Sequence, residues 1–79
     1  MEHITVIGGF AGESEPMLYT VMSNAAGCEI GHFIWHDEAG LYVFAPRMGF
    51  DYSLGVLLEI ALCLSNPGVY AEATIDAEG

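Results

Sequence analysis

The chain has 79 residues and a mass of 8.5 kDa, a length that holds a single domain, residues 1–79, burying roughly 60% of the surface its unfolded form exposes. Hydrophobic residues make up 53% of it and mean hydropathy is +0.44, which excludes disorder of the kind that low hydrophobicity and high charge produce. Eleven acids face one basic residue, Arg47, for a net charge of −10, and such a surface repels phosphate backbones and anionic membranes.

In chain order, Ile4-Thr5-Val6-Ile7 is β-branched throughout and is closed by Gly8-Gly9, the pattern of a strand running into a turn. After the loop Gly8-Gly9-Phe10-Ala11-Gly12, Ser14 is placed to cap a helix whose first turn holds Glu15 and Pro16. Leu18, Val21, Met22 and Ala25 fall at i, i+3, i+4 and i+7 with Gly27 as a left-handed stop, so the spacing predicts an amphipathic helix. Residues 28–36 are rich in strand formers, Asp37-Glu38-Ala39-Gly40 offers turn chemistry, and Leu41-Tyr42-Val43-Phe44-Ala45 completes a hairpin. Pro46 ends it. Asp51 or Ser53 caps a second helix that runs to Leu64, Ser65-Asn66-Pro67-Gly68 terminates that helix, and residues 69–75 form the last strand before an acidic tail that frays from Asp76. The order β-α-β-β-α-β predicts an α+β, ferredoxin-like fold, a four-stranded antiparallel sheet with two helices on one face.

Without a bulge at the 37–40 turn, Trp35 lies opposite Tyr42 and Phe33 opposite Phe44, four aromatics on one sheet face, while Ile30, Ile34 and Val43 point the other way. Helices pack on aliphatic faces, so the Ile/Val side is the expected core and the aromatic side the expected open surface. A bulge at Gly40 would reverse the two. In the second helix Leu54, Leu57, Leu58 and Ala61 are expected to face the sheet, which leaves Val56, Ile60 and Cys63 outward. A helix apolar all round is ordinarily buried all round, so Phe33, Trp35, Tyr42, Phe44, Val56 and Ile60 form the predicted partner-binding set. An aromatic sheet face also serves RNA stacking in some folds, but one arginine against eleven acids does not neutralise phosphates.

Two cysteines, Cys28 and Cys63, are too few for a disulfide framework and predict a reduced, cytoplasmic setting. The apolar stretch of residues 54–64 is far short of the roughly 20 residues a membrane span needs, and Met1-Glu2-His3 lacks the basic start of a targeting segment. Cys28, His32 and His36 recur every four residues, but on a strand that step spans about 13 Å, too far for one ion, so no metal or other cofactor is expected. The serines sit in capping contexts and no His lies near Cys63 in sequence, so no catalytic set is expected.

Ile4-Thr5-Val6-Ile7-Gly8, then Pro16-Met17-Leu18, Val21 and Met22, then Ala26-Gly27-Cys28-Glu29-Ile30 resemble, over residues 4–30, the first half of an ACT domain. In that family a strand ending in glycine leads through a loop to a helix opening with Pro-Gly-Leu and closing with Gly-x-x-Ile; here Met17 stands at the family's glycine. The resemblance implies a dimerising regulatory module with an amino-acid site at the strand-to-helix loop, near Gly9, Gly12 and Ser14. In size, charge and exposed apolar surface, though by no motif, the chain is also similar to small phage or mobile-element inhibitors of host proteins. The expected function is therefore that of a non-enzymatic acidic module that binds a basic protein partner and forms a homodimer, with metabolite sensing and host-protein inhibition as the alternatives.

Overall fold

The chain folds as β1 (Ile4–Gly8), β2 (Leu18–Ser23), β3 (Cys28–His36), β4 (Leu41–Pro46), α1 (Leu54–Leu64), α2 (Pro67–Tyr70) and β5 (Ala71–Thr74). The structure, a computed structural model, describes residues 1–8 and 18–74, with side chains as far as residue 71. The strands make one mixed sheet in the order β4-β3-β2-β1-β5. β1 to β4 form an antiparallel meander, and α1 carries the chain back across the sheet so that β5 pairs parallel to β1.

The α+β class stands, and the second hairpin and α1 lie where the sequence places them; of the last strand, expected over residues 69–75, Ala71–Thr74 form β5, Val69 and Tyr70 belong to the short helix α2, and residue 75 lies outside the described residues. The ferredoxin-like order does not form, because residues 18–23 of the segment predicted as the first helix are the strand β2; its expected cap and first turn, Ser14, Glu15 and Pro16, lie outside the described residues. Its residues satisfy two templates at once. Leu18, Val21 and Met22 have helical spacing, yet Tyr19-Thr20-Val21 is a run of strand formers in which Tyr19, Val21 and Ser23 are buried while Leu18, Thr20 and Met22 are more open. As a strand the segment pairs with β1 on one side and β3 on the other, and that tertiary gain overrides the local preference.

Gly27 does adopt the left-handed conformation expected of it, at φ 69°, but in a hairpin turn rather than at a helix end. The two hairpin turns share one design. In the first, Gly27 N–H donates to Ser23 O at 2.8 Å and Ala26 N–H to Ser23 Oγ at 3.0 Å. In the second, Gly40 N–H donates to His36 O at 2.8 Å and Ala39 N–H to His36 Nδ1 at 3.2 Å. Asn24-Ala25-Ala26-Gly27 and Asp37-Glu38-Ala39-Gly40 are thus one turn used twice, each closing on a glycine at φ 69°.

The hairpin register is the unbulged one: Phe33 opposes Phe44 and Trp35 opposes Tyr42. The irregularity lies instead on the other side of β3, where Val21 pairs with Gly31 but Met22 pairs with Glu29, so that Ile30 is an extra residue. A bulge reverses the alternation of side chains past it. Ile30 and Phe33, an odd number of residues apart, are therefore both fully buried, whereas Ile34 is 41% exposed. Arg47 N–H donates to Ile30 O at 3.0 Å, and Tyr52 donates its hydroxyl to the same carbonyl, which holds the bulge in place.

Ser53 is the cap of α1, its Oγ accepting from Val56 N–H at 3.3 Å. Val56, Ile60 and Cys63 recur at i, i+4 and i+7, a single helical stripe, and all are buried against Ile4, Val6, Tyr19, Val21, Ile30 and Phe33 of the sheet. The aromatics extend this layer: Phe33 and Phe44 ring centres lie 5.7 Å apart, Trp35 and Tyr42 5.1 Å, and Phe44 and Tyr52 5.9 Å, separations at which tilted and edge-on rings attract.

Candidate functional site

This packing reverses both face assignments made from the sequence, except at Ile30, which is buried as expected because the bulge turns it to the same side as Phe33. Phe33, Val56 and Ile60 are buried in the core, Tyr42 and Phe44 are half-buried against it, and Trp35 is half-buried against the Tyr42 ring at its margin, so the predicted binding set belongs to the inner layer and its edge. The aromatics do share one face in the expected register, but that face is the one α1 and the segment carrying Phe50 and Tyr52 cover. The physical reason is volume: the inward stripe of α1 holds two β-branched side chains and a thiol (Val56, Ile60, Cys63), which reach less far than leucines, and the rings of Phe33, Tyr42, Phe44, Phe50 and Tyr52 fill the remaining space.

The outward surfaces are the ones the sequence reading assigned to the core. On α1, Leu54, Leu57, Leu58 and Leu62 are 71%, 47%, 61% and 54% exposed and form one stripe with Ala61 between them. On the sheet, the register aligns Leu18, Ile34 and Val43 as a row across β2, β3 and β4, with Leu41 beyond it, and all four are exposed. The next row, Ile7, Thr20, His32 and Ala45, is more polar, and His32 Nε2 sits 2.9 Å from Glu29 Oε2. These leucines and the outer aliphatic row are the residues that sequence reasoning missed as surface. The signal lay in the Leu54/Leu58/Leu62 spacing, which marks a stripe as regular as the buried one.

Glu59, the one charged residue of α1, is already engaged. Its Oε1 accepts from His3 N–H at 2.9 Å and Ile4 N–H at 3.1 Å, and its Oε2 lies 2.6 Å from His3 Nδ1. Burial pushes the carboxyl up, but the hydrogen bonds from His3 and Ile4 outweigh it and hold Glu59 below the usual carboxylate range. The same hydrogen bond raises His3, partly opposed by desolvation. Glu59 thus ties α1 to the start of β1, and the outward stripe of the helix is left without charge.

Among the described residues the chemistry-bearing side chains do not assemble into a catalytic or metal-binding group. Among the described residues no group of three or more His, Cys, Asp or Glu is placed to hold a metal ion, and no buried side-chain nitrogen or oxygen lacks a partner. Both cysteines are free. Burial, together with the nearby Glu59 charge, pushes the Cys63 thiol up, which favours the unreactive protonated form. Gly9, Gly12 and Ser14, the ligand-site residues implied by the ACT resemblance, lie outside the described residues. No described helix is long and apolar enough to cross a membrane. Comparison with family models, curated proteins and solved structures returns no match.

Proposed function

We propose that this chain is a non-catalytic acidic module that binds another protein through the outward leucine stripe of α1. The observation that carries this reading is that stripe: four leucines between 47% and 71% exposed on a helix whose sole charge is turned away into a contact with His3 and Ile4. Scattered single hydrophobes are ordinary, but a contiguous apolar stripe rimmed by polar surface marks an interaction site. Leu54, Leu58 and Leu62 present the i, i+4, i+8 anchors with which one helix seats in the groove of a partner.

Charge supplies the second half of the recognition. Glu2, Glu29, Asp37, Glu38 and Asp51 are all exposed, and with a net charge of −10 the field steers the chain toward a basic partner while the leucines supply affinity. Two cysteines that remain unpaired suit a reducing, cytoplasmic setting. The experiment is affinity capture from the source cell with the wild-type chain and with Leu58→Glu/Leu62→Glu, both sites being more than half exposed so that the fold persists. A basic protein retained by the wild type and lost by the double variant is the expected result. Capture indifferent to these two charges, or no retained protein, overturns the reading.

A further inference from the structure

We propose that β4 is a pairing edge for a second copy of this chain, the two β4 strands meeting antiparallel about a two-fold axis at Val43. Among the described residues β4 is the last strand on its side of the sheet. Because Arg47 N–H donates inward to Ile30 O, the alternation of an antiparallel ladder turns the backbone groups of Val43 and Ala45 toward β3 and those of Tyr42 and Phe44 away from the sheet. Pro46 belongs to the outward series, the place where a strand tolerates a missing N–H. From Leu41 to Ala45 there is no charged side chain and no proline, and the pairing with β3 is unbroken from residue 46 to residue 41. Natural edges are blunted by charge, proline or bulges, and β4 has none of these over its outward-facing centre.

The occupant is fixed by charge. Arg47, the only Lys or Arg in the chain, follows one end of β4, exposed and with Nη1 donating to Glu29 O at 2.9 Å while its charge is paired with no carboxylate among the described residues, and Asp37 and Glu38 stand in the turn before the other end. Antiparallel pairing about Val43 places Tyr42 opposite Phe44 of the second copy and the reverse, and both residues offer outward N–H and C=O groups. It also sets residue 47 opposite residue 39, which brings each Arg47 beside the other copy's Asp37–Glu38 turn, twice over. Parallel pairing would instead oppose Arg47 to Arg47 and acids to acids. On the outer face Val43 meets Val43 and Leu41 meets Ala45, so the exposed Leu18–Ile34–Val43 row continues into the second copy's row. Strand pairing alone buries less than the roughly 800 Å² per partner of a standard interface, so the dimer is expected to exchange reversibly, with a dissociation constant on the order of micromolar.

Sedimentation equilibrium of the full chain from about 1 to 500 μM reads this directly, the expected mass rising from 8.5 kDa to twice that value. Val43→Lys, which sets two like charges against each other on the axis, is expected to keep the mass at that of the monomer throughout. Arg47→Glu is expected to weaken the dimer at least tenfold, and Arg47→Glu/Glu38→Arg to restore it. A monomer at every concentration, or failure of the charge swap to rescue, overturns the pairing. A dimer insensitive to Val43→Lys and lost in Leu58→Glu/Leu62→Glu overturns it too, by placing the second copy on α1. Partner capture through α1 stands or falls separately, since Val43→Lys leaves the leucine stripe untouched.

Discussion

A methyl group at residue 31 would lie 2.6 Å from Ala45 O and 2.6 Å from the Phe44 ring, far inside any real carbon contact. The backbone there is also at φ 155°, a conformation that side-chain-bearing residues rarely adopt. Gly31→Ala is therefore expected to destabilise the fold by about 1–3 kcal/mol through strain and overpacking, measured by urea denaturation, whereas loss of no more than a few tenths would show that the bulge relaxes freely. The His3–Glu59 contact makes a second prediction at this scale. Glu59 sits below its ordinary value of 4.5, so its contribution is present above that pH and fades as pH falls through the lower folded value. His3 sits above 6.5, so its contribution is full below that pH and fades as pH rises through the higher folded value. Both act together between pH 4.5 and 6.5. The difference in Tm between the wild type and Glu59→Gln should peak in that window and shrink on either side, and a difference independent of pH would show that the contact is not ionic.

Among the elements, α1 separates its two stripes most clearly. Ile60→Ala removes buried volume from the core cluster between α1 and the sheet and is expected to lower stability by about 2–4 kcal/mol. Leu58→Ala, at a residue 61% exposed, is expected to change it by less than about 0.5 kcal/mol, and thermal melts compare the two. Equal losses would mean that α1 is buried on both sides. The start, cap and end of this helix were legible in the sequence because Ser53 and Asn66-Pro67-Gly68 signal them locally, and both strands of the second hairpin were legible for the same reason. The facing of the helix was not, because every side of its wheel is apolar and periodicity alone cannot choose between two hydrophobic stripes. β2 was misread because its residues meet helical and extended templates together, although the kinship of Asn24-Ala25-Ala26-Gly27 with Asp37-Glu38-Ala39-Gly40 held the signal of a second hairpin. The parity of β3 depends on the extra residue Ile30, set by pairing with β2 and by Gly31 under the Phe44 ring, and such a bulge has no marker in the sequence beyond the glycine itself.

For the whole molecule, the net charge of −10 acts in opposite senses on the two associations proposed. Raising salt from 0.01 to 0.15 M shortens the screening length from about 30 to about 8 Å. It should slow capture of a basic partner and tighten pairing between two like-charged copies, which stopped-flow and sedimentation read separately; indifference of both to salt would show that long-range charge serves solubility alone. Both associations depend on one claim, that the aromatic layer is inside and the aliphatic rows are outside. The most direct test is equilibrium unfolding of Phe33→Ala beside Ile34→Ala, adjacent residues on opposite faces of β3, one fully buried and the other 41% exposed. The structure predicts a loss of about 3–5 kcal/mol for Phe33→Ala, enough to unfold a domain of this size, and a change under about 1 kcal/mol for Ile34→Ala. The reverse, with Ile34→Ala collapsing the domain and Phe33→Ala tolerated, would contradict it.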